Sequence, residues 1–274
     1  MTTRDQPPAL RLFRRSVLKQ AKYRALTRAI GDPTGKTCLD LGSDNGVISY
    51  LLRERGGRWT SADLAPKAVE AIRALVRSDV HQIDGRTLPF ADRSFDLVVV
   101  IDMLEHVADD RVFARELERI VKPGGELVVN VPHLVRSGWA RQLRDRLGLG
   151  DDWHGHLRPG YDLAALKSLL GPGFEVVEAF HYSKAFSELL DIALNYVYAR
   201  RKGTQGPETA KGTIVTGNEV AKMERELRLL STAYPFLRVF AGLDRLCPTR
   251  GYFLIVRARR KPATPAVRTE SAGG

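Results

Sequence analysis

Cysteine is nearly absent from this chain of 274 residues, with only Cys38 and Cys247 present, far apart. They read as one buried thiol and one loop thiol rather than a disulfide. No apolar stretch is long enough to span a bilayer, no secretory signal opens the chain, and no internal repeat is found, so a cytoplasmic protein is expected, with peripheral attachment at the inner face of a membrane left open. The Gly-x-Gly-x-x-Gly turn of dinucleotide sites is missing too, which counts against an NAD(P)-dependent oxidoreductase. Acidic residues are fewer than basic ones, 32 against 43, for a net charge of +11. That excess is not spread over the chain: residues 1–30 carry +7 and residues 251–274 carry +4, so everything between sums to zero. A basic balance confined to the ends is not the even signature of a nucleic-acid-binding domain.

What is present begins with Thr37-Cys-Leu-Asp-Leu-Gly-Ser-Asp-Asn-Gly46, an apolar strand running into an acidic turn and then a helix at Val47. Gly42 and Gly46 relieve the backbone, and ligands of open α/β sheets bind at this end of the strands. Asp40 and Asp44 would repel a pyrophosphate, so a nucleoside without phosphates fits better. Asp40 is as well suited to hold the amides of its own turn as to touch a ligand. Strand and helix units then repeat. Trp59 to Asp63 ends in a carboxylate able to accept both ribose hydroxyl protons, with a helix cap as the alternative reading of Asp63. Val80 to Asp84 with Gly85 places a carboxylate where adenine's amine would lie, or else forms an Asp-Gly turn, and Leu88-Pro-Phe90 would wall the base. Phe95 to Ile101 and Glu126 to Val131 are continuous apolar runs, as expected of parallel strands buried on both faces.

Leu39-Asp-Leu-Gly42 with Gly46, Asp63, Asp84, Ser94-Phe-Asp96, Leu104-Glu-His-Val107 and Lys122-Pro-Gly-Gly125 together resemble the class I S-adenosylmethionine-dependent methyltransferases over about residues 36–133, with a weaker tail to residue 180. The resemblance implies an α/β, Rossmann-like, doubly wound, mostly parallel seven-stranded sheet. It also implies S-adenosylmethionine as cofactor, with Gly42 and Gly46 against its methionine part, Asp63 on the ribose and Asp84 on the adenine. The chain departs from many members at Asp44, where they carry a third glycine. A non-catalytic nucleoside-binding module is the alternative outside enzymes.

Two polar clusters are candidates for the acceptor's surroundings. Asp102, Glu105 and His106 follow the central strand, and acid-x-x-Glu-His resembles the magnesium motif of some quinone-biosynthetic and RNA-end methyltransferases. Glu-His here is also widespread without metal, so a capping role stands ahead and no metal ligand is assigned. Trp153-His-Gly-His156 lies where such folds overhang the acceptor, and its histidines, with ordinary pKa values of about 6.5, suit proton acceptance. A zinc reading of His154 and His156 lacks a third ligand. Asp102, His106, His154 and His156 are thus the catalytic candidates, with His133 a further pocket-wall residue.

The ends and one insertion are read separately. Residues 1–30 form a basic amphipathic helix, with Leu10, Phe13, Val17, Ala21 and Ala25 on its apolar side, that either covers the sheet or meets anionic lipid or nucleic acid. Residues 31–183 are the cofactor-binding core, 184–250 a helical cap, 251–260 the final strand and 261–274 a basic tail. The cap holds Phe186 to Tyr198, apolar on nearly every face, a polar stretch from Arg201 to Asn218, an amphipathic helix near Glu219 to Leu230, and Tyr234 to Gly242. Such an apolar helix needs cover from its own domain, a partner or lipid. The expected acceptor is small or lipid-linked, a quinone, lipid or glycan precursor. An RNA such as tRNA is second, and the oligomeric state is unassigned.

Overall fold

The computed structural model describes residues 6–78, 80–135, 138–202 and 220–262, without the side chains of 201–202 and 220–230. Seven strands form one sheet in the order β3-β2-β1-β4-β5-β7-β6. They are β1 (Thr37–Leu41), β2 (Arg58–Asp63), β3 (Val80–Gln82), β4 (Phe95–Ile101), β5 (Val121–Pro132), β6 (Phe174–Tyr182) and β7 (Phe253–Arg260). β7 runs antiparallel to both neighbours, while the other pairings are parallel. The chain reverses its winding between β1 and β4, and a crevice opens at the carboxyl ends of such strands.

The sheet is buried by helices on both faces. Leu39, Leu41, Val98 and Val100 pack with Phe113, Leu117 and Leu166 on one side, and Cys38, Leu97 and Val99 pack with Leu26, Ile30 and Leu52 on the other. Burial on both faces explains why the central strands are apolar without alternation. The helices nearest the crevice are α1 (Pro8–Phe13), α2 (Val17–Ile30), α3 (Val47–Arg53), α4 (Pro66–Val76) and α5 (Asp110–Ile120). Lys122-Pro-Gly-Gly125, expected as a turn before the strand, instead lies within β5, whose register slips between Phe95 and Leu97 of the neighbouring strand.

The amino-terminal segment is two helices rather than one, because Ser16 breaks the first and caps the second by accepting a hydrogen bond from Lys19 N at 3.3 Å. Leu10, Phe13, Val17, Ala25, Leu26 and Ile30 are all buried, so this segment covers the sheet. Its basic residues divide. Arg28 pairs with Glu178 at 2.8 Å and lies over the Phe180 ring, Lys22 reaches Asp102 at the end of β4, and Lys19 is exposed.

Beyond β5 come α6 (Trp139–Arg146) and α7 (Leu163–Leu170); between β6 and β7 lie α8 (Ala185–Lys202), α9 (Val220–Gly242) and a 3-10 turn, Leu243–Leu246. Most of the polar stretch read at 201–218 lies outside the described residues. α9 continues through Pro235 to Gly242, although the proline removes one helical amide. Asp244 caps α8 from a distance, accepting from Lys184 N at 2.8 Å and Phe186 N at 2.9 Å. Buried Arg144 ties α6 to α8 through Glu188 at 2.7 Å and Asp191 at 3.3 Å. Ile192 and Leu190 of α8 are covered by the protein itself, but Leu189, Leu194 and Val197 remain exposed, so the cover is partial.

Candidate active site

The turn after β1 is built by its own residues. Asp40 is fully buried and accepts from Ser43 Oγ at 2.7 Å, Ser49 Oγ at 2.5 Å, Ser61 Oγ at 2.7 Å and Arg53 Nη1 at 3.4 Å. Its carboxylate orders the turn from below and presents no open face to the crevice. Gly42 has φ +84°, and a Cβ there would stand 2.3 Å from Ile101 O. Gly46 has φ +77°, with Ile72 Cα 2.7 Å from where its Cβ would be. The space these glycines leave on the Cβ side is filled by β4 and α4, so their first duty is close packing of backbone. Asp44 stands at φ 55°, a left-handed position that suits glycine but that Asp also tolerates, which accounts for the departure from the family pattern.

Asp63 is also nearly buried, and its carboxylate accepts from Asp44 N at 3.2 Å and Ala65 N at 3.1 Å, joining the β1 turn to the end of β2. Asp84 is exposed, and one of its oxygens accepts from Arg86 N at 2.7 Å and Thr87 N at 2.9 Å. These backbone bonds, Thr87 first, hold its carboxyl below the usual range. Gly85 beside it is buried at φ +74° against Leu64.

Asp102, at the end of β4, departs from the trio expected of it. It is not gathered with Glu105 and His106. Its side chain bonds Lys22 of α2 and accepts from Asn130 Nδ2 at 2.5 Å, while Asn130 Oδ1 accepts from the Tyr182 hydroxyl at 2.8 Å. The Asp102 backbone is left-handed at φ 44°, a strained setting for an aspartate held by its surroundings. Burial works to lower the Lys22 pKa, but attraction and hydrogen bonding to Asp102, helped by Glu105 and Asp191, raise it above the ordinary lysine value. Burial first, then the negative charge of Asp102, pushes the Tyr182 phenol well above its usual range, so it remains a neutral donor. Lys19 is exposed, and desolvation by the surrounding protein, opposed by Asp44 and aided by Lys22, lowers its pKa. Phe253 stacks on Tyr182 at 5.2 Å and lies 5.0 Å beneath the Lys22 ammonium.

Glu105 and His106 sit in a one-turn 3-10 helix, Leu104–His106, and meet the histidine segment. His106 Nδ1 lies 2.8 Å from Gly155 O, and the His106 and His156 ring centres are 5.0 Å apart. His154 stacks on His156 at 5.2 Å and abuts Trp153. Leu157 N bonds Glu105 O at 2.8 Å, and Arg158 clamps Leu104 O at 2.7 Å, so the segment is sewn to the end of β4. His133 pairs edge-on with His181 at 4.2 Å, and burial, then the neighbouring His133, lowers the His181 pKa to about 4. Sequence reasoning missed Lys22, Asn130 and Tyr182. Only Asn130 carried a local signal, as a polar residue inside an apolar strand.

A family profile described as a methyltransferase domain matches residues 39–129. The ubiquinone biosynthesis O-methyltransferase of Idiomarina loihiensis is 28% identical over 188 residues, covering 61% of this chain and 75% of that enzyme. The enzyme of the same name from Xanthomonas oryzae is 34% identical over 115 residues, 40% of this chain and 48% of its own length. Among solved structures, the N-methyltransferase NodS of Bradyrhizobium japonicum, in complex with S-adenosylhomocysteine, superposes with a TM-score of 0.52 at 14% identity, covering 89% of this chain and 88% of that one. A likeness so low in identity speaks for the fold alone.

Proposed function

The chain belongs to the class I S-adenosylmethionine-dependent methyltransferases, and from that premise we propose that it methylates a hydroxyl of a small aromatic acceptor of the quinone-precursor kind. S-adenosylmethionine is the methyl donor. The observation that carries the acceptor reading is the Lys22–Asp102–Asn130–Tyr182 network at the end of β4, bordered by Phe253. Methyl transfer is an in-line displacement in which the sulfonium loses its charge, so alignment is the main requirement. An oxygen nucleophile must also lose a proton, and Asp102 is a candidate acceptor for it. Lys22 beside it favours the developing oxyanion, and the aromatic rim suits a planar ring. The names of the similar O-methyltransferases support the same reading. His106, His154 and His156 line the neighbouring side as further candidates for proton acceptance. In the donor site, Gly42 and Gly46 shape the turn for the methionine part, Asp63 takes the ribose, and Asp84 with Gly85 lies by the adenine; Asp40 acts by ordering that turn.

The acceptor reading extends to a lipid-borne substrate. Phe236, Val239 and Leu246 are 75%, 70% and 79% exposed on α9 and the turn after it, with Arg238, Arg245 and Arg250 close in sequence. Exposed aromatic and aliphatic groups beside arginines suit an anionic lipid surface, where each basic residue contributes about 1 kcal/mol. Among the described residues no helix is long and apolar enough to cross a membrane.

The test is formation of S-adenosylhomocysteine by the full chain given S-adenosylmethionine and, in parallel, a prenylated catechol in anionic vesicles or bulk tRNA. Turnover with the catechol supports the proposal. Turnover with tRNA alone refutes it in favour of an RNA acceptor.

A further inference from the structure

Three tyrosines stand at the end of the sheet where the crevice opens, and they differ in what their hydroxyls do. Tyr161 donates to Asp110 Oδ2 at 2.8 Å and Tyr182 to Asn130 Oδ1 at 2.8 Å, so both are spent on the protein. The Tyr252 hydroxyl has no hydrogen-bond partner among the described residues, and the residue is half-buried, so a ligand can reach it. Tyrosine hydroxyls in such settings normally find a partner. Resting on the reading of the crevice as the site of a hydroxylated aromatic acceptor, we propose that Tyr252 binds a second oxygen of that ring, the one that is not methylated.

Tyr252 is pinned by its backbone. Its amide donates to Ser183 O at 2.8 Å and its carbonyl accepts from His133 N at 2.7 Å, which holds it between the ends of β6 and β5. Its ring meets Phe253 edge-on at 4.8 Å, and Phe253 in turn stacks on Tyr182 and lies beneath the Lys22 ammonium. Tyr252 is therefore one ring away from the Lys22–Asp102 pair, on the same aromatic floor. Asp191 of α8 links the two ends, since its charge acts on Lys22 and on Tyr252 alike. An acceptor ring laid across Phe253 meets the pair at one edge and the Tyr252 hydroxyl at the other.

Arg144 prepares that hydroxyl without touching the acceptor. Its guanidinium lies 4.1 Å from the centre of the Tyr252 ring and is itself held by Glu188 at 2.7 Å and Asp191 at 3.3 Å. A cation over the ring face draws electron density from the phenol and strengthens its O–H as a donor. Burial first, with Asp191, Glu188 and Asp151 adding to it against the pull of Arg144, keeps the phenol above its usual pKa, so it stays protonated. A neutral hydroxyl of this kind donates to a ring oxygen or accepts from a ring hydroxyl. Arg144 is thus a positioning residue, and the packing of α6 on α8 sets the Tyr252 ring.

The experiment compares kcat/KM of the full chain, given S-adenosylmethionine, for a prenylated diol (catechol or hydroquinone) and for the matching prenylated phenol that lacks the second hydroxyl. The parent should prefer the better diol by roughly fivefold to tenfold, the worth of one neutral hydrogen bond, and Tyr252→Phe should bring that preference close to one. Titration with S-adenosylhomocysteine shows that the variant is folded. A parent that treats diol and phenol alike overturns the inference, whatever the variant does. So does a Tyr252→Phe protein that keeps the preference or slows both compounds equally, as a merely structural role would. Without turnover, calorimetric binding of the same compounds to the S-adenosylhomocysteine complex is read by the same two comparisons. Failure of the acceptor reading looks different: neither compound is then turned over or bound, and the inference falls with it, whereas turnover or binding without preference removes the inference alone.

Discussion

Asp63 is the residue at which ligand binding and structure are most tightly entangled, so its replacement separates them best. Its carboxylate joins two backbone amides, Asp44 N at 3.2 Å and Ala65 N at 3.1 Å, both at the long end of the usual range. Each bond to a charged acceptor is then worth about 1.5 kcal/mol, the low end for such bonds, so Asp63→Ala should destabilise the fold by about 3 kcal/mol. For a chain of this size that lowers the melting temperature by roughly 6 to 12 °C. Asp63→Asn keeps one acceptor oxygen and should lose about half as much. The charge-assisted ribose contact is lost in both variants, at a cost of about 1.5 to 3 kcal/mol, or roughly tenfold to a hundredfold in affinity. Calorimetric titration with S-adenosylhomocysteine, beside thermal melts, therefore gives two scales that move differently. Stability should fall in the order parent, Asn, Ala, while affinity should drop nearly as far in Asn as in Ala. Parent-like affinity in a folded Asp63→Asn protein would refute the ribose assignment and leave Asp63 as a structural joint.

Lys22→Met should leave S-adenosylhomocysteine binding within a fewfold and slow turnover by roughly a hundredfold or more if the pair handles the acceptor proton, which steady-state kinetics on the prenylated catechol would register. Gly46→Ala places a Cβ 2.7 Å from Ile72 Cα at a left-handed φ of +77°, so urea denaturation should show a loss beyond the roughly 1 to 2 kcal/mol of that conformation alone. Burial pushes the Cys38 thiol up to about 12, whereas Cys247 is partly open, so an aromatic disulfide reagent at pH 8 should label Cys247 in the native chain and both cysteines after unfolding. His181 has a folded pKa of about 4 against 6.5 when free, so the unfolded chain binds the extra proton first and stability should fall as pH drops from 6.5 toward 4. Denaturant melts across that window should show His181→Leu with a shallower fall than the parent.

Much of this architecture was legible in local chemistry. The apolar runs Phe95–Ile101 and Glu126–Val131 fit strands buried on both faces, and the glycine-spaced turn after Leu41 fits a passage from a strand into a helix. The count of seven strands came from the family resemblance, and the cap at 184–250 from its own apolar and amphipathic stretches. Gly42, Gly46 and Asp63 were likewise placed at strand ends, because their positions are set within one turn of a strand end.

The sequence by itself determined most of the elements and the turn after β1, since hydrophobic period, turn residues and strand-end carboxylates act over a few neighbours. Tertiary structure alone decided which charges meet. Lys22 finds Asp102 eighty positions away, and the Glu105-His106 pair meets His156 fifty positions on, because packing of α2 and of the segment after α6 carries them to the same end of the sheet. The Asp102 trio dissolved for the same reason. A carboxylate at a strand end takes the nearest cation and amide in space, and its spacing from Glu105 in the chain says nothing about which cation that will be.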